Sequence, residues 1–137
     1  IKVRNRNPKK VYAIDTGIST HLSGGVSSND GPRLENLVYL FLRRLGYREI
    51  FYYAGTQECD FVLTTNTKPV AAIQVCMLVD QVTEKREWNG LVEAMDAFGL
   101  SEGYVVTWNQ KEEFHKEGRN IYFIPAWEFL SRTSLQV

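Results

Sequence analysis

Two apolar-rich runs, ECDFVLT at 58–64 and PVAAIQVC at 69–76, are joined only by the short stretch TNTK. A link that short predicts an antiparallel hairpin, because a parallel pair needs a crossover on the order of a dozen residues. Paired residue numbers in such a ladder keep a constant sum. If Thr64 faces Val70, then Val62 faces Ala72, Asp60 faces Gln74 and Glu58 faces Cys76. Strand side chains alternate, so these residues share one side of the hairpin. The other side carries Phe61, Leu63, Ala71, Ile73 and Val75, an apolar surface that a helix must cover. On this register Cys59 and Cys76 point to opposite faces, which disfavours a disulfide between them.

The flanking sequence supplies the covering elements. RLENLVYLFLRRLGY places Leu34, Leu37, Val38, Phe41, Leu42 and Leu45 on one wide stripe. That spacing predicts a helix, with Asp30 as its cap, Pro32 near the first turn and Gly46 as a left-handed stop. REIFYYAG reads as a further strand. Trp88, Leu91, Val92, Met95 and Phe98 recur at helical spacing, predicting a second helix from about Thr83 to Phe98, stopped by Gly99. Trp88 and Met95 are read as core. GYVVTW reads as a strand, KEEFHKEGRNIYFIP as a hairpin turning near Glu117-Gly118, and PAWEFLSR as a short helix begun by Pro125. Near the start, KVYAID alternates like a strand, TGISTHL reads as a short helix or turn, and SGGVSSNDGP as a loop.

The order helix, three strands, helix, strand over 33–108 predicts an α/β domain, a mixed sheet flanked by helices. Segment 1–32 reads as a basic N-terminal strand and loop, and 109–137 as the charged hairpin and C-terminal helix. With 137 residues and 44% hydrophobic content, one domain with a real core is expected.

Sixteen basic and sixteen acidic residues cancel, so no global field steers the chain toward nucleic acid or an anionic membrane. The first fifty residues, however, carry nine Lys and Arg against four Asp and Glu. Within that basic end, Lys9, Lys10, Arg43 and Arg44, with Arg86 further on, are the candidate nucleic-acid contacts. The sequence has no apolar run long enough for a bilayer and no signal-peptide pattern, and its two cysteines suit a reducing compartment. A cytoplasmic location without a membrane partner is the expectation, and the start at Ile1 within a basic stretch suggests a piece of a longer polypeptide. His21 and His115 fall at no metal-ligand spacing with the cysteines, and no base accompanies Cys76 as a nucleophile.

An acidic strand residue, a short turn, and an apolar strand with two polar positions two apart, within this element order, resemble the restriction-endonuclease-like PD-(D/E)XK superfamily. Asp60 matches the first acidic position, Gln74 the second, Cys76 the lysine position and Glu35 the helix glutamate of many members. NPKKVYAIDTGI, LENLVYLFLRRLGY, ECDFVL, AIQVC, KREWNGLVEAM and IPAWEFL together resemble the C-terminal domain of a family of prokaryotic AAA-type ATPases.

The resemblance implies a restriction-endonuclease-like mixed sheet, an ATPase domain upstream in the same polypeptide, DNA as a partner, and Mg²⁺ held by Glu35, Asp60 and Gln74. No G-x-x-x-x-G-K-[ST] run occurs in this sequence, so no ATP hydrolysis is expected of it. The departures point to a degenerate site. Gln74 offers Mg²⁺ only a neutral carbonyl oxygen, and a thiol at Cys76 cannot replace an ammonium. Two readings stay open. In one, the domain is a catalytically degenerate nuclease-like accessory module that binds nucleic acid or a partner protein. In the other, it is an active Mg²⁺-dependent endonuclease using Asp60, Glu35 and Glu58, with Lys85 or Arg86 supplying the missing cation.

Overall fold

The computed structural model describes residues 10–15, 17, 30–78 and 84–135. Its elements run α1 (Asp30–Arg44), β1 (Glu49–Ala54), β2 (Glu58–Thr65), β3 (Lys68–Val75), α2 (Glu84–Phe98), β4 (Glu102–Thr107), β5 (Glu112–Lys116), β6 (Arg119–Pro125) and α3 (Ala126–Phe129). The strands form one mixed six-stranded sheet in the order β1-β2-β3-β4-β6-β5. β3, β4 and β6 are parallel to one another, and the remaining neighbours pair antiparallel. The expected α/β mixed sheet flanked by helices, with core order helix, three strands, helix, strand, is therefore what the chain adopts.

Alternation along the strands gives the sheet two apolar faces. Leu34, Val38, Phe41 and Leu42 of α1 pack with Phe129 of α3 against Phe61, Leu63, Ala71, Ile73, Val106 and Ile124. On the opposite face Leu91, Ala94 and Met95 of α2 cover Cys59, Val62, Ala72, Val105, Ile121 and Phe123. Each large aliphatic or aromatic side chain fully buried here contributes roughly 1.5–3 kcal/mol. The α2 layer approaches closely: a Cβ on Gly90 would lie 2.0 Å from the backbone oxygen of Glu58. Gly46 ends α1 at φ +94°, in the left-handed region that the sequence predicts for it.

The predicted hairpin register holds in its centre and changes at both ends. Phe61, Val62 and Leu63 face Ile73, Ala72 and Ala71, but Thr64 faces Pro69 rather than Val70. The cause lies in the turn. Asn66 and Thr67 both have positive φ, the conformation of a two-residue hairpin turn, and this sets Thr65 against Lys68. At the other end Phe51 faces Val62 and Tyr53 faces Cys59, so Asp60 and Phe61 together oppose Tyr52 alone. That bulge reverses the alternation of everything before it. Cys59 and Cys76 consequently pack against the same α2-side cluster, not opposite faces, and no disulfide joins them.

Two further expectations change. KVYAID forms no strand. Residues 10–15 lie outside the sheet, and the Ala13 backbone is bonded instead by the side chain of Asn36. Asp30 begins α1 as a first-turn acid and pairs with Arg33. TGISTHL apart from Gly17, most of the SGGVSSNDGP loop, Thr83 and His21 lie outside the described residues. Among the described residues no helix is long and apolar enough to cross a membrane.

Candidate functional site

The bulge in β2 decides where the acidic residues go. By turning Asp60 onto the α1 side of the sheet, it brings that carboxylate to Glu35, one turn into α1. It also ends the β2–β3 ladder at Phe61–Ile73. Two side chains take over the backbone groups beyond that point: the Val75 N–H donates to Asp60 Oδ2 at 2.9 Å, and the Asp60 N–H donates to Gln74 Oε1 at 3.2 Å. Both side chains belong to buried residues, each 7% exposed, and these bonds keep buried polar groups satisfied where the strands part.

A cation completes the group. The Lys10 ammonium lies 2.6 Å from Asp60 Oδ1 and 3.0 Å from Glu35 Oε1, and 4.7 Å above the ring centroid of Tyr52. The Tyr12 hydroxyl donates to the same Glu35 oxygen at 2.7 Å. The Asp60 carboxyl is pushed above its usual range by burial and by the Glu35 charge, with Lys10 opposing. Burial pulls the Lys10 pKa down, but its bonds and attraction to Asp60 and Glu35 outweigh that and leave it raised. Burial, then the bond to Glu35, holds Tyr12 neutral far into the alkaline range.

Glu35, Asp60 and Gln74 open onto a cleft of about 400 Å³ between the start of α1 and the split in the sheet, with Gln57 and Glu58 on its far wall. Glu58 is exposed there and hydrogen-bonded to Tyr52, whose hydroxyl is pushed up to about 12 by burial and by that bond. A second carboxylate shapes this wall from the opposite helix. Glu93 of α2 accepts the backbone N–H groups of Thr56 and Gln57 at 2.7 and 2.9 Å, and the Tyr53 hydroxyl at 3.1 Å.

Glu35, Asp60 and Gln74 line one cleft with Glu58 on its rim, brought there by the bulge and not by the predicted pairing of Asp60 with Gln74 and Glu58 with Cys76. Gln74 meets Asp60 through its backbone N–H rather than its carboxylate. Cys76 stands apart, its thiol directed to the Leu78 carbonyl. Of the candidate nucleic-acid contacts, two are engaged within the fold. Lys10 is bound to the acids, while Arg43 donates to the Tyr47 and Arg48 carbonyls just beyond α1. Arg44 is exposed, Lys9 lies outside the described residues, and so do the side chains of Lys85 and Arg86.

Lys10 as the cation of this site, Tyr12, Asn36 and Glu93 are not identified by sequence reasoning. The one signal available for the first two is their spacing, which sends Lys10 and Tyr12 to the same side of an extended segment.

A divalent cation does not fit this arrangement. Among the described residues no three His, Cys, Asp or Glu side chains come together as a metal-holding group. The two carboxylates that do meet are bridged by an ammonium, and Gln74 Oε1 is already accepting from the Asp60 backbone. A hard cation needs several oxygens free to turn toward it.

No family model matches the chain. It is similar to an uncharacterized protein of Methanocaldococcus jannaschii, 31% identical over 139 residues, and to an uncharacterized protein of Haemophilus influenzae, 24% identical over 118 residues. The matches take in 93% and 86% of this chain but only 30% and 28% of those two proteins. The chain therefore spans less than a third of the length of these curated relatives. No solved structure matches.

Proposed function

We propose that this domain is a nuclease-like accessory module of a longer AAA-type ATPase polypeptide, one that has lost metal-dependent cleavage and acts by binding. The observation that carries the reading is the Lys10 ammonium within 3.0 Å of both Glu35 and Asp60. In a metal-dependent nuclease the acids hold the metal that lowers the pKa of the attacking water. Here an internal cation satisfies them. The greater length of the two relatives supports placement in a larger polypeptide.

Between nucleic acid and protein as the partner, protein is favoured. Phosphate binding draws on Lys and Arg side chains that are free to release counterions, and Lys10 and Arg43 are both engaged within the fold.

The test pairs two measurements. Calorimetric titration with Mn²⁺ should give no site-specific heat, and incubation with plasmid and oligonucleotide DNA across Mg²⁺, Mn²⁺ and Ca²⁺ should give no cutting. Cutting that Asp60→Ala abolishes would overturn the proposal in favour of a working endonuclease.

A further inference from the structure

Residues 10–13 contact the domain the way a bound peptide does. Lys10 and Tyr12 turn inward and Val11 outward, with Val11 95% exposed, the alternation of an extended segment. Lys10 enters the acidic pocket formed by Asp60 and Glu35 over the Tyr52 ring. Tyr12 stacks on Tyr39, ring centroids 4.1 Å apart and planes 13° apart, and leans on Phe61 at 5.7 Å while its hydroxyl reaches Glu35. Asn36 reads the backbone: its Oδ1 accepts the Ala13 N–H at 2.7 Å and its Nδ2 donates to the Ala13 carbonyl at 3.0 Å.

The receiving side chains belong to other elements of the fold. Glu35, Asn36 and Tyr39 are fixed by α1, and Asp60, Phe61 and Tyr52 by the β1–β2 bulge. The segment itself joins no strand ladder. A charged socket, an aromatic slot two residues on and a bidentate backbone contact make up a recognition code: side-chain pockets give specificity and main-chain bonds give affinity. Side chains held by a helix and a sheet lower the ordering cost on the receptor's side.

We propose that this groove is a receptor for an extended Lys-x-Tyr peptide, filled in cis by residues 10–13 and open in trans to a partner protein presenting the same chemistry. The negative socket selects the lysine, Tyr39 and Phe61 select an aromatic two residues later, and the tyrosine hydroxyl is selected by Glu35. The cis segment competes, so a partner is admitted when its effective concentration exceeds that of the tethered copy. This inference does not depend on the nuclease-like reading.

The experiment titrates a fluorescent peptide, Lys-Val-Tyr-Ala-Ile-Asp, into the full chain carrying Lys10→Ser and Tyr12→Ser. Saturable binding is expected, at least tenfold tighter than to the unaltered chain and weakened at least tenfold by Asn36→Ala on the receptor or by Lys→Glu in the peptide. Should the double variant fail to melt cooperatively, Tyr12→Phe is used, which keeps the stack and removes only the hydroxyl bond to Glu35; peptide affinity must then rise relative to the unaltered chain. No binding to a folded variant, or equal binding of a scrambled peptide with Lys and Tyr adjacent, overturns the proposal.

Discussion

The ammonium of Lys10 and the carboxylate of Asp60, fifty residues apart in the chain, meet at 2.6 Å on the α1 side of the sheet. Asp60 is nearly enclosed, its side chain 9% exposed, while Lys10 keeps 27% of its own. Removing Lys10 leaves the buried Asp60 carboxylate beside Glu35 with no cation between them, whereas neutralising Asp60 as well leaves Glu35 as the single charge of the group.

Lys10→Met should therefore destabilise the fold by about 2–3 kcal/mol, at the lower edge of the range for broken buried pairs because Lys10 retains solvent contact. Combining it with Asp60→Asn should recover part of that loss, giving a coupling of at least about 1 kcal/mol in a double-mutant cycle from urea denaturation. Additive losses would show that the pair is not coupled.

Alkali should unfold the protein through the same group. Lys10 is raised above 10.5, Tyr52 is pushed from 10.0 to about 12, and Tyr12 higher still. A group whose folded pKa is raised stabilises fully below its unfolded value and loses that stability as pH climbs through the folded one. The buried Cys59 thiol, raised from 9.0 to about 12, adds to the same trend, so thermal melts should change little from pH 7 to about 8.5 and fall steadily above about 9. Tyr52→Phe should lessen the fall, and an unchanged slope in that variant would remove Tyr52 from the explanation.

On the acid side Glu93 acts in the opposite sense. The Thr56 and Gln57 N–H groups hold its carboxyl below 4.5, so its contribution is present above that pH and is lost as pH falls through the lower folded value. Glu93→Gln should speed amide exchange at Thr56 and Gln57 well beyond that of neighbouring amides, read by exchange-detected NMR. Unchanged protection at both amides would show that the turn holds itself.

The two thiols should react very differently. Cys59 is fully buried, its thiol pushed up to about 12 by burial and the Asp60 charge, while Cys76 is partly exposed. Reactivity follows thiolate fraction and access. Titration with a thiol-specific dye should label one cysteine in the folded protein, Cys76 by peptide mapping, and the second only in denaturant. Early labelling of Cys59 would contradict the packing of α2 over β2.

Gly90→Ala should cost about 3 kcal/mol or prevent folding, because the new Cβ would meet the Glu58 backbone oxygen at 2.0 Å and rigid backbone cannot yield cheaply. Gly46→Ala meets open space and strains only a positive φ, so about 1 kcal/mol is expected. Denaturation midpoints of the two variants check the order, which would reverse if α2 could slide outward.

Periodicity alone disclosed the helices, the central hairpin register from Phe61 to Leu63 and the Glu117-Gly118 turn. These rest on forces acting between near neighbours in the chain, such as alternation in strands, the helical repeat and the steric freedom of glycine, so residue order suffices to specify them. The bulge at Asp60–Phe61 carries no glycine or proline to announce it, and it is visible only in how β1 and β2 pair. Lys10 looks like one of several N-terminal basic residues. Only the tertiary structure, by burying Asp60 beside the half-buried Glu35, made a distant ammonium the group that lies between them.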